Sequence, residues 1–510
     1  MNTFAMPQPA DTEYQFKGKT VSIPMKYIIT AAYLYMVVPI VIFFMTWLRW
    51  YVSIPTTAIF LFGGWHLLKD IFKSFNTCLL IPIRELIVTG FIILVWVYTT
   101  TIFFYQTWDQ HWRNALFRDM CNYEWPVVYD NTGNALVYYL MQWIVPALFG
   151  KLAGFTIANA VLWIWNALGV FFVFLCINSY IMPKKRSHIW IVLAVLISWG
   201  GLNDLGYIWI DILGQGNYLL MNGFGWPDMY YGYGYQYTPN DALLAWVYNQ
   251  TIVPWIGTTL FVLCRKVNHY AFLGLCILPY GPIPFVGLVI FLVVEFVSQV
   301  IVKKCLEPLK DALSIPNICA SISIFPVFLL FFKCNVGAQH VGFYAVPDPF
   351  GIKHIIFLTV FYLLEFGIFC LIIRKDYKHS ILFYTMIVSL IVIPHFQLGF
   401  GRDFCMRASI PALFILMIFV IRYLIKNEYH VGISAAIVAL TICLTIAGLG
   451  TLKDWANKIK SVRINAYNPI VADDIGTFSD KQIGDVSALE NFLVPNYKDT
   501  AFWRHIAKNT

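Results

Sequence analysis

Long apolar runs alternate with short polar loops along this 510-residue chain. Many runs extend over about 18 residues or more, the length that a helix needs to cross a hydrocarbon core of about 30 Å. The runs are continuous, as at 28–47 and 433–449, whereas a transmembrane β-barrel would show segments of about ten residues with alternating polarity. The pattern therefore predicts an all-α fold, a polytopic bundle of transmembrane helices.

Basic residues between the apolar runs predict the topology, because Lys and Arg are enriched in cytoplasmic loops. Examples are the cluster Lys184, Lys185 and Arg186 and the pair Lys303 and Lys304. Helices threaded between such clusters give about thirteen spans, within a range of roughly 11 to 14. They are predicted near 26–48, 52–69, 86–105, 154–179, 188–208, 243–264, 268–280, 283–301, 312–332, 353–373, 380–396, 408–425 and 430–450.

Two segments do not fit a simple succession of spans. The run at 136–150 is too short to cross, so we expect a juxtamembrane helix at the outer face. Residues 268–301 must cross twice to keep Lys303 and Lys304 inside, and LPYGPIP at 278–284 supplies a break. A single kinked span is the alternative for this segment.

The predicted topology divides the chain into three parts. Residues 1–25 form a cytoplasmic N-terminal tail, 26–450 the transmembrane domain, and 451–510 an extracytoplasmic C-terminal tail. The larger outer loops are 106–136, 203–242 and 333–352. A polar N-terminus without a small-residue cleavage site predicts a mature tail and not a signal peptide.

Composition narrows the possible partners. The chain is 59% hydrophobic and 12% charged, with a formal net charge of +8. The excess of Lys and Arg is explained by cytoplasmic loops, so we expect the membrane lipid bilayer as the environment and no nucleic-acid partner. The sequence has no P-loop, GxSxG, HExxH or Rossmann glycine motif in a suitable context, which disfavours nucleotide-driven transport and serine hydrolysis.

The first outer loop concentrates titratable residues in TWDQHWRNALFRDMCNYEWP at 107–126. If 108–120 is a helix, Asp109 and Arg113 form an i, i+4 ion pair that contributes about 0.2–0.5 kcal/mol. Asp109 and Asp119 then lie about 15 Å apart along the axis and cannot form a carboxylate dyad. His111 could join Asp109 on a metal or a sugar hydroxyl, although residues two apart do not share a helix face.

A second candidate region, 201–250, mixes amides and carboxylates with many Trp and Tyr residues. Aromatic rings stack on the C–H surface of a sugar ring while amides and carboxylates bind its hydroxyls, so the region suits carbohydrate. An interfacial aromatic belt with a Gly-rich turn is the alternative interpretation. The candidate substrate-binding residues here are Asn203, Asp204, Gln236, Tyr237 and Asn240.

A third candidate is GFGRDFCMRAS at 399–409, at the outer edge of the span that begins near residue 408. Arg402, Asp403 and Arg407 there suit a phosphate clamp, because a guanidinium binds phosphate oxygens in a bidentate manner. The alternative is a surface pair of Arg402 and Asp403, with Arg407 extending to the lipid headgroups.

These segments together resemble known membrane proteins. An acidic first outer loop followed by a juxtamembrane helix, in a chain of this size, resembles the GT-C superfamily of membrane glycosyltransferases. More closely, DxHWRNALFRDM, EWPVVY, LVYYL and VPALFGKL look like a group of bacterial polytopic membrane proteins. GLNDLG, QYTPN, WVYNQ and RDFCMRASIPALF belong to the same likeness, which covers about 106 to 420.

The resemblance implies a function. Enzymes of this kind transfer a sugar from a polyprenyl-phosphate donor to a glycan or lipid acceptor on the outer face of the bacterial plasma membrane. A loop carboxylate acts as general base, which here is Asp109 or, failing that, Asp119. Arg402 and Arg407 would hold the lipid phosphate. The first loop has Asp-x-His and no clear acidic pair, so both a divalent metal ion and a metal-free site remain open.

Two other functions compete with this one. A lipid-linked polysaccharide polymerase or ligase would depend on outer-loop arginines without an acidic base in the first loop. A transporter or flippase would instead line a path with the same polar residues.

Overall fold

The computed structural model describes residues 16, 18–101, 109–212, 235–303, 306–335, 341–343, 351–398, 403–428, 434–465, 476–482, 484 and 487–508. Within these ranges the chain is mostly helical, and ten helices are long and apolar enough to cross a membrane. Three shorter apolar helices accompany them. The predicted class, a helical multi-pass membrane protein, is confirmed.

The elements follow one another from the N-terminal side. The helices are α1 (Met25–Trp47), α2 (Trp50–Ser74), α3 (Ile83–Thr100), α4 (Asp109–Asn122), α5 (Met141–Ala153), α6 (Phe155–Ile181), α7 (Arg186–Ser198), α8 (Asn203–Ile212), α9 (Asn240–Val247), α10 (Ile252–Cys264), α11 (Tyr270–Ile277), α12 (Pro282–Lys303), α13 (Glu307–Ala312), α14 (Ile315–Lys333), α15 (Ile352–Tyr362), α16 (Ile368–Tyr377), α17 (Ile381–Val392), α18 (Asp403–Ala408), α19 (Ile410–Asn427), α20 (Ala435–Asn465) and α21 (Ala501–His505). The strands are β1 (Thr20–Pro24), β2 (Cys78–Pro82), β3 (Val128–Tyr129), β4 (Asn134–Leu136), β5 (Val341–Phe343), β6 (Phe396–Leu398) and β7 (Leu493–Pro495).

One end of the bundle, which we call the basic face, carries β1 paired antiparallel with β2. Lys266 Nζ lies 2.6 Å from Asp70 Oδ2, and Lys426 Nζ lies 2.9 Å from Asp376 Oδ2. Arg186 Nε lies 3.4 Å from Glu85 Oε1, just after β2, and Lys185 Nζ lies 3.3 Å from Glu428 Oε1, just after α19, so the predicted basic cluster at 184–186 lies on this face.

The opposite end, which we call the tail face, carries the described C-terminal residues 476–508. There β7 pairs with β4, and β4 pairs with β3, so the tail completes a small sheet with the first outer loop. Arg49 Nε, between α1 and α2, donates to the carbonyl of Ala507 at 2.8 Å. The tail therefore packs against the bundle.

Helix α5 matches the juxtamembrane helix predicted at 136–150. It contains 13 residues, so its length is about 20 Å, too short to cross the hydrocarbon core. Gly150 allows α5 to approach α4 closely, because a Cβ at this position would collide with Sγ of Cys121.

The segment that was predicted as one span at 243–264 is interrupted. A 3-10 turn at Tyr248–Gln250 separates α9 from α10. Pro254 lies in the first turn of α10, where its missing N–H leaves no helical hydrogen bond unmade. The 13 residues of α10 span about 20 Å, which is less than the roughly 30 Å of a hydrocarbon core.

The segment at 268–301 contains two helices with a break at LPYGPIP, of which α12 belongs to the ten candidate spans and α11 is one of the shorter apolar helices. Gly274 of α11 lies against Phe285 and Leu292 of α12, so the two helices fold back on one another. This arrangement is not a single kinked span.

The adjacent helix α19 belongs to the candidate span that is most enclosed by the rest of the bundle, because 89% of its most apolar 18-residue stretch is buried. The short helix α18 leads directly into it.

Candidate functional site

Helix α4 presents Asp109 and Arg113 at its first turn. Asp109 Oδ2 lies 3.5 Å from Arg113 Nη2, the predicted i, i+4 pair. The Arg113 side chain is only 5% exposed and that of Asp109 is 55% exposed. The carboxylate is thus open to a ligand, at a helix N-terminus whose dipole favours negative charge.

Helix α18 presents a second ion pair of the same spacing. Arg407 Nη1 lies 2.6 Å from Asp403 Oδ2, and again the arginine is the more buried partner. Gly287 of α12 fixes the position of α18, because a Cβ there would collide with the carbonyl oxygen of Ala408.

The two ion pairs meet at Tyr138, in the segment before α5. Burial raises the pKa of the Tyr138 phenol, while the nearby Arg113 and Arg407 lower it and Asp403 and Asp109 raise it. Arg407 also interacts electrostatically with Asp109. We call these five residues the charged centre. Although Asp109 and Arg407 are nearly three hundred residues apart in sequence, the fold brings them within electrostatic range of each other.

The interruption between α9 and α10 adjoins the charged centre. Tyr248 interacts electrostatically with Arg113 and Tyr138. Trp143 Nε1 donates to the Tyr248 hydroxyl at 2.8 Å. Gln110 Nε2 donates to the carbonyl of Ala245 at 2.6 Å, which fastens the first turn of α4 to α9.

Both buried arginines keep an N–H group without an acceptor. Arg113 Nη1 and Arg407 Nε are buried and have no hydrogen-bond partner in the part of the chain that the structure describes. Unpaired buried donors on a cation are costly, and an anion that accepts from them would remove this cost. The charged centre therefore has the chemistry of an anion site.

Asp119 lies near the other end of α4, in a different environment. It is completely buried, and its Oδ2 accepts from the Tyr129 hydroxyl at 2.7 Å and from the Phe478 backbone N–H at 2.9 Å. Because Phe478 belongs to the C-terminal tail, this carboxylate fastens the tail to α4. His111 lies half-buried on the first turn of α4, two residues after Asp109.

The candidates in the 201–250 region bond to other helices. Lys453 Nζ of α20 lies 2.5 Å from Asp204 Oδ1. Asn240 Nδ2 donates to the carbonyl of Leu196 at 2.8 Å. Asn203 begins α8 and is 6% exposed. The Asp204 contact therefore joins α8 to α20, and the Asn240 contact joins α9 to α7.

Gln236 connects the same region to α18, and Tyr237 connects it to α17. The Gln236 carbonyl accepts from Cys405 Sγ at 3.3 Å, and Cys405 lies two residues before Arg407. The Tyr237 hydroxyl donates to the carbonyl of Leu390. Arg402, the remaining predicted phosphate ligand, lies outside the described residues.

The described residues do not suit a divalent metal. They contain no group of three His, Cys, Asp or Glu side chains that could hold one. Asp109 is accompanied by the cations Arg113 and Arg407, which would repel a metal ion. We therefore assign no step to a metal.

No family model, curated protein or solved structure matches this chain. The function is therefore argued from the charged centre itself. Tyr138 of the charged centre and its neighbour Tyr248 were not among the predicted site residues. Both lie in apolar runs that predict helix packing, and only the Tyr-containing motifs LVYYL and WVYNQ single them out.

Proposed function

We propose that the protein is an integral membrane glycosyltransferase. It would take a sugar from a polyprenyl-phosphate-linked donor and pass it to a glycan or lipid acceptor at the tail face, outside the cell. The observation that supports this proposal is the convergence of Asp109, Arg113 and Arg407 on Tyr138. An anion site beside an open carboxylate is what such a transfer needs.

The two arginines would bind the donor phosphate. The free N–H groups of Arg113 and Arg407 are buried, where a charge-assisted hydrogen bond to a phosphate oxygen is strong. As the bond between the anomeric carbon and the phosphate oxygen breaks, its electron pair passes to the phosphate. The same N–H groups would stabilise this developing charge.

Asp109 would act as the general base. The acceptor hydroxyl oxygen forms the new bond to the anomeric carbon, and its proton passes to the Asp109 carboxylate. The 55% exposure of Asp109 permits contact with an acceptor. Asp119 is buried and bonded to the tail, so we propose no catalytic role for it.

A transporter is the second candidate, and one observation favours it. The apolar run that contains α9 and α10 is interrupted at Tyr248–Gln250. Discontinuous helices of this kind often form the substrate sites of secondary transporters. A transporter would move its substrate without making a glycosidic bond.

The test uses the full chain in proteoliposomes with a radiolabelled polyprenyl-phosphate hexose and a membrane glycan extract. We expect Asp109→Asn to abolish transfer and retain donor binding, and Arg407→Gln to weaken donor binding. Asp499→Asn and Arg504→Gln are matched controls, because this exposed tail-face pair is also separated by 3.5 Å. Both controls should retain wild-type transfer.

Three outcomes would contradict the proposal. Intact transfer in Asp109→Asn with loss in Arg407→Gln would indicate a polymerase or ligase that needs no acidic base. Movement of label across the membrane without a new glycosidic bond would indicate a transporter. Equal losses in the control pair would show that the effects are not specific to the charged centre.

A further inference from the structure

Two buried amide side chains lie in the interruption between α9 and α10. Asn249 and Gln250 are both 0% exposed. In each, the amide nitrogen and the amide oxygen have no hydrogen-bond partner within the described ranges of the chain. Four unpaired polar atoms in a protein interior destabilise the fold, because none recovers the hydrogen bonds it made in water. Such a cost indicates a ligand that pairs with them.

These amides adjoin both halves of the charged centre. The preceding residue, Tyr248, interacts electrostatically with Arg113. On the other side, Gln250 packs closely on Gly281, in the turn that begins α12. A Cβ added at Gly281 would lie only 3.2 Å from Gln250 Cγ. Gly287, one and a half turns further along α12, contacts the α18 backbone just after Arg407. Helix α4, which carries Arg113, and helix α18, which carries Arg407, are thus connected through the turn at Gly281.

The backbone adds to the polar character of the interruption. Helix α10 begins at Ile252, directly after the two amides, and contains 13 residues. The N–H groups of Ile252 and Val253 have no carbonyl four residues back within the helix to bond, whereas Pro254 has no N–H and Trp255 donates to the carbonyl of Thr251 at 2.9 Å. The first turn and the amides together offer both donors and acceptors, without a full charge.

We propose that Asn249 and Gln250 form the subsite for the sugar ring of the donor, and that this sugar is uncharged. This inference rests on the proposed function. A hydroxyl both donates and accepts, as an amide does, so the two groups are complementary. A uronate or a phosphorylated sugar would instead bring a charge beside groups that carry none, which is costly in a low-dielectric interior.

The test replaces both amides by apolar side chains of similar size, Asn249→Leu together with Gln250→Met. If the amides are kept for a ligand, removing them should leave the melting temperature unchanged or raise it. The affinity for a polyprenyl-phosphate hexose should fall about tenfold or more. The affinity for polyprenyl phosphate alone should not change. The two single variants allow the same comparison if the double variant does not fold.

Asn317→Leu is the matched control. Its amide is buried, donates to the carbonyl of Val267 at 2.9 Å and accepts from the Phe272 N–H at 3.1 Å, near the basic face. This variant should lower the melting temperature and leave both affinities unchanged. The contrast separates an amide that holds the fold together from one that binds a ligand.

The results that overturn the subsite differ from those that overturn the proposed function. A lower melting temperature in the double variant, as in Asn317→Leu, would show that the amides are paired within the protein. Equal changes in both affinities, or tighter wild-type binding of a hexuronate than of a hexose donor, would also overturn the subsite. Wild-type protein that binds neither lipid would refute the proposed function, and the subsite with it.

Discussion

Asp119 is the buried carboxylate that joins the first outer loop to the C-terminal tail. Its Oδ2 accepts from the Tyr129 hydroxyl at 2.7 Å and from the Phe478 N–H at 2.9 Å. Asp119→Ala removes both acceptor contacts and leaves two buried donors without this partner. We therefore expect the tail to detach from α4 more often, while the bundle itself remains folded.

The size of this effect follows from the two hydrogen bonds. A hydrogen bond to a charged group contributes about 1.5–3 kcal/mol, so the loss of two should cost about 3 kcal/mol or more. Since 1.4 kcal/mol is a factor of ten, detachment should become about 150-fold more frequent. The Phe478 amide should report this change directly, because detachment exposes it to solvent.

Hydrogen exchange with mass spectrometry on the full chain measures the effect. Peptides that cover 476–482 and 487–495 should exchange faster in Asp119→Ala by about two orders of magnitude. Asp109→Asn is the control, and its tail should exchange at the wild-type rate. Unchanged exchange in Asp119→Ala would refute the structural role, and loss of transfer with a normally docked tail would return Asp119 to the candidate catalytic residues.

Three further predictions concern other parts of the molecule. Lys458→Met should lower the free energy of unfolding by about 3–5 kcal/mol in a detergent denaturation assay, because Asp241, 3.2 Å from Lys458 Nζ, is completely buried. Lys458→Arg should lose less. Burial raises the pKa of Glu428, but the hydrogen bonds and charges of His188 and Lys185 together outweigh it and hold this pKa below its ordinary value. Glu428 therefore stabilises the fold above its ordinary pKa and stops doing so as the pH falls through its lower folded pKa, so Glu428→Gln should flatten the acid limb of melting temperature against pH. Gly287→Ala should cost about 1–3 kcal/mol of stability and weaken binding of polyprenyl phosphate, because its Cβ would collide with the α18 backbone. An unchanged melting temperature in any of these variants would contradict its prediction.

Much of the fold could be predicted from local sequence properties. The length of an apolar run indicates whether a helix can cross, so most spans, the short helix α5 and the break at LPYGPIP could be predicted. The pair of Asp109 and Arg113 could also be predicted, because helical spacing alone brings the two together.

Features that depend on distant contacts could not be predicted. The contact of Asp119 with Phe478 joins residues 359 apart in sequence, and no local pattern indicates it. The convergence of two ion pairs on Tyr138 depends on how α4, α5 and α18 pack. The interruption at Tyr248–Gln250 lies within an apolar run of sufficient length for a span, so the run length concealed it.

The central claim is that Asp109 and Arg407 face the same bound donor, with Arg407 at its phosphate and Asp109 beside it. A double-mutant cycle with Asp109→Asn and Arg407→Gln, measured as the affinity for polyprenyl phosphate, tests it most directly. The carboxylate repels the phosphate and the guanidinium attracts it, so each change should alter the effect of the other. We predict a coupling free energy above about 0.5 kcal/mol, the limit within which independent sites add. Additive effects within that limit would show that the two residues do not share a ligand.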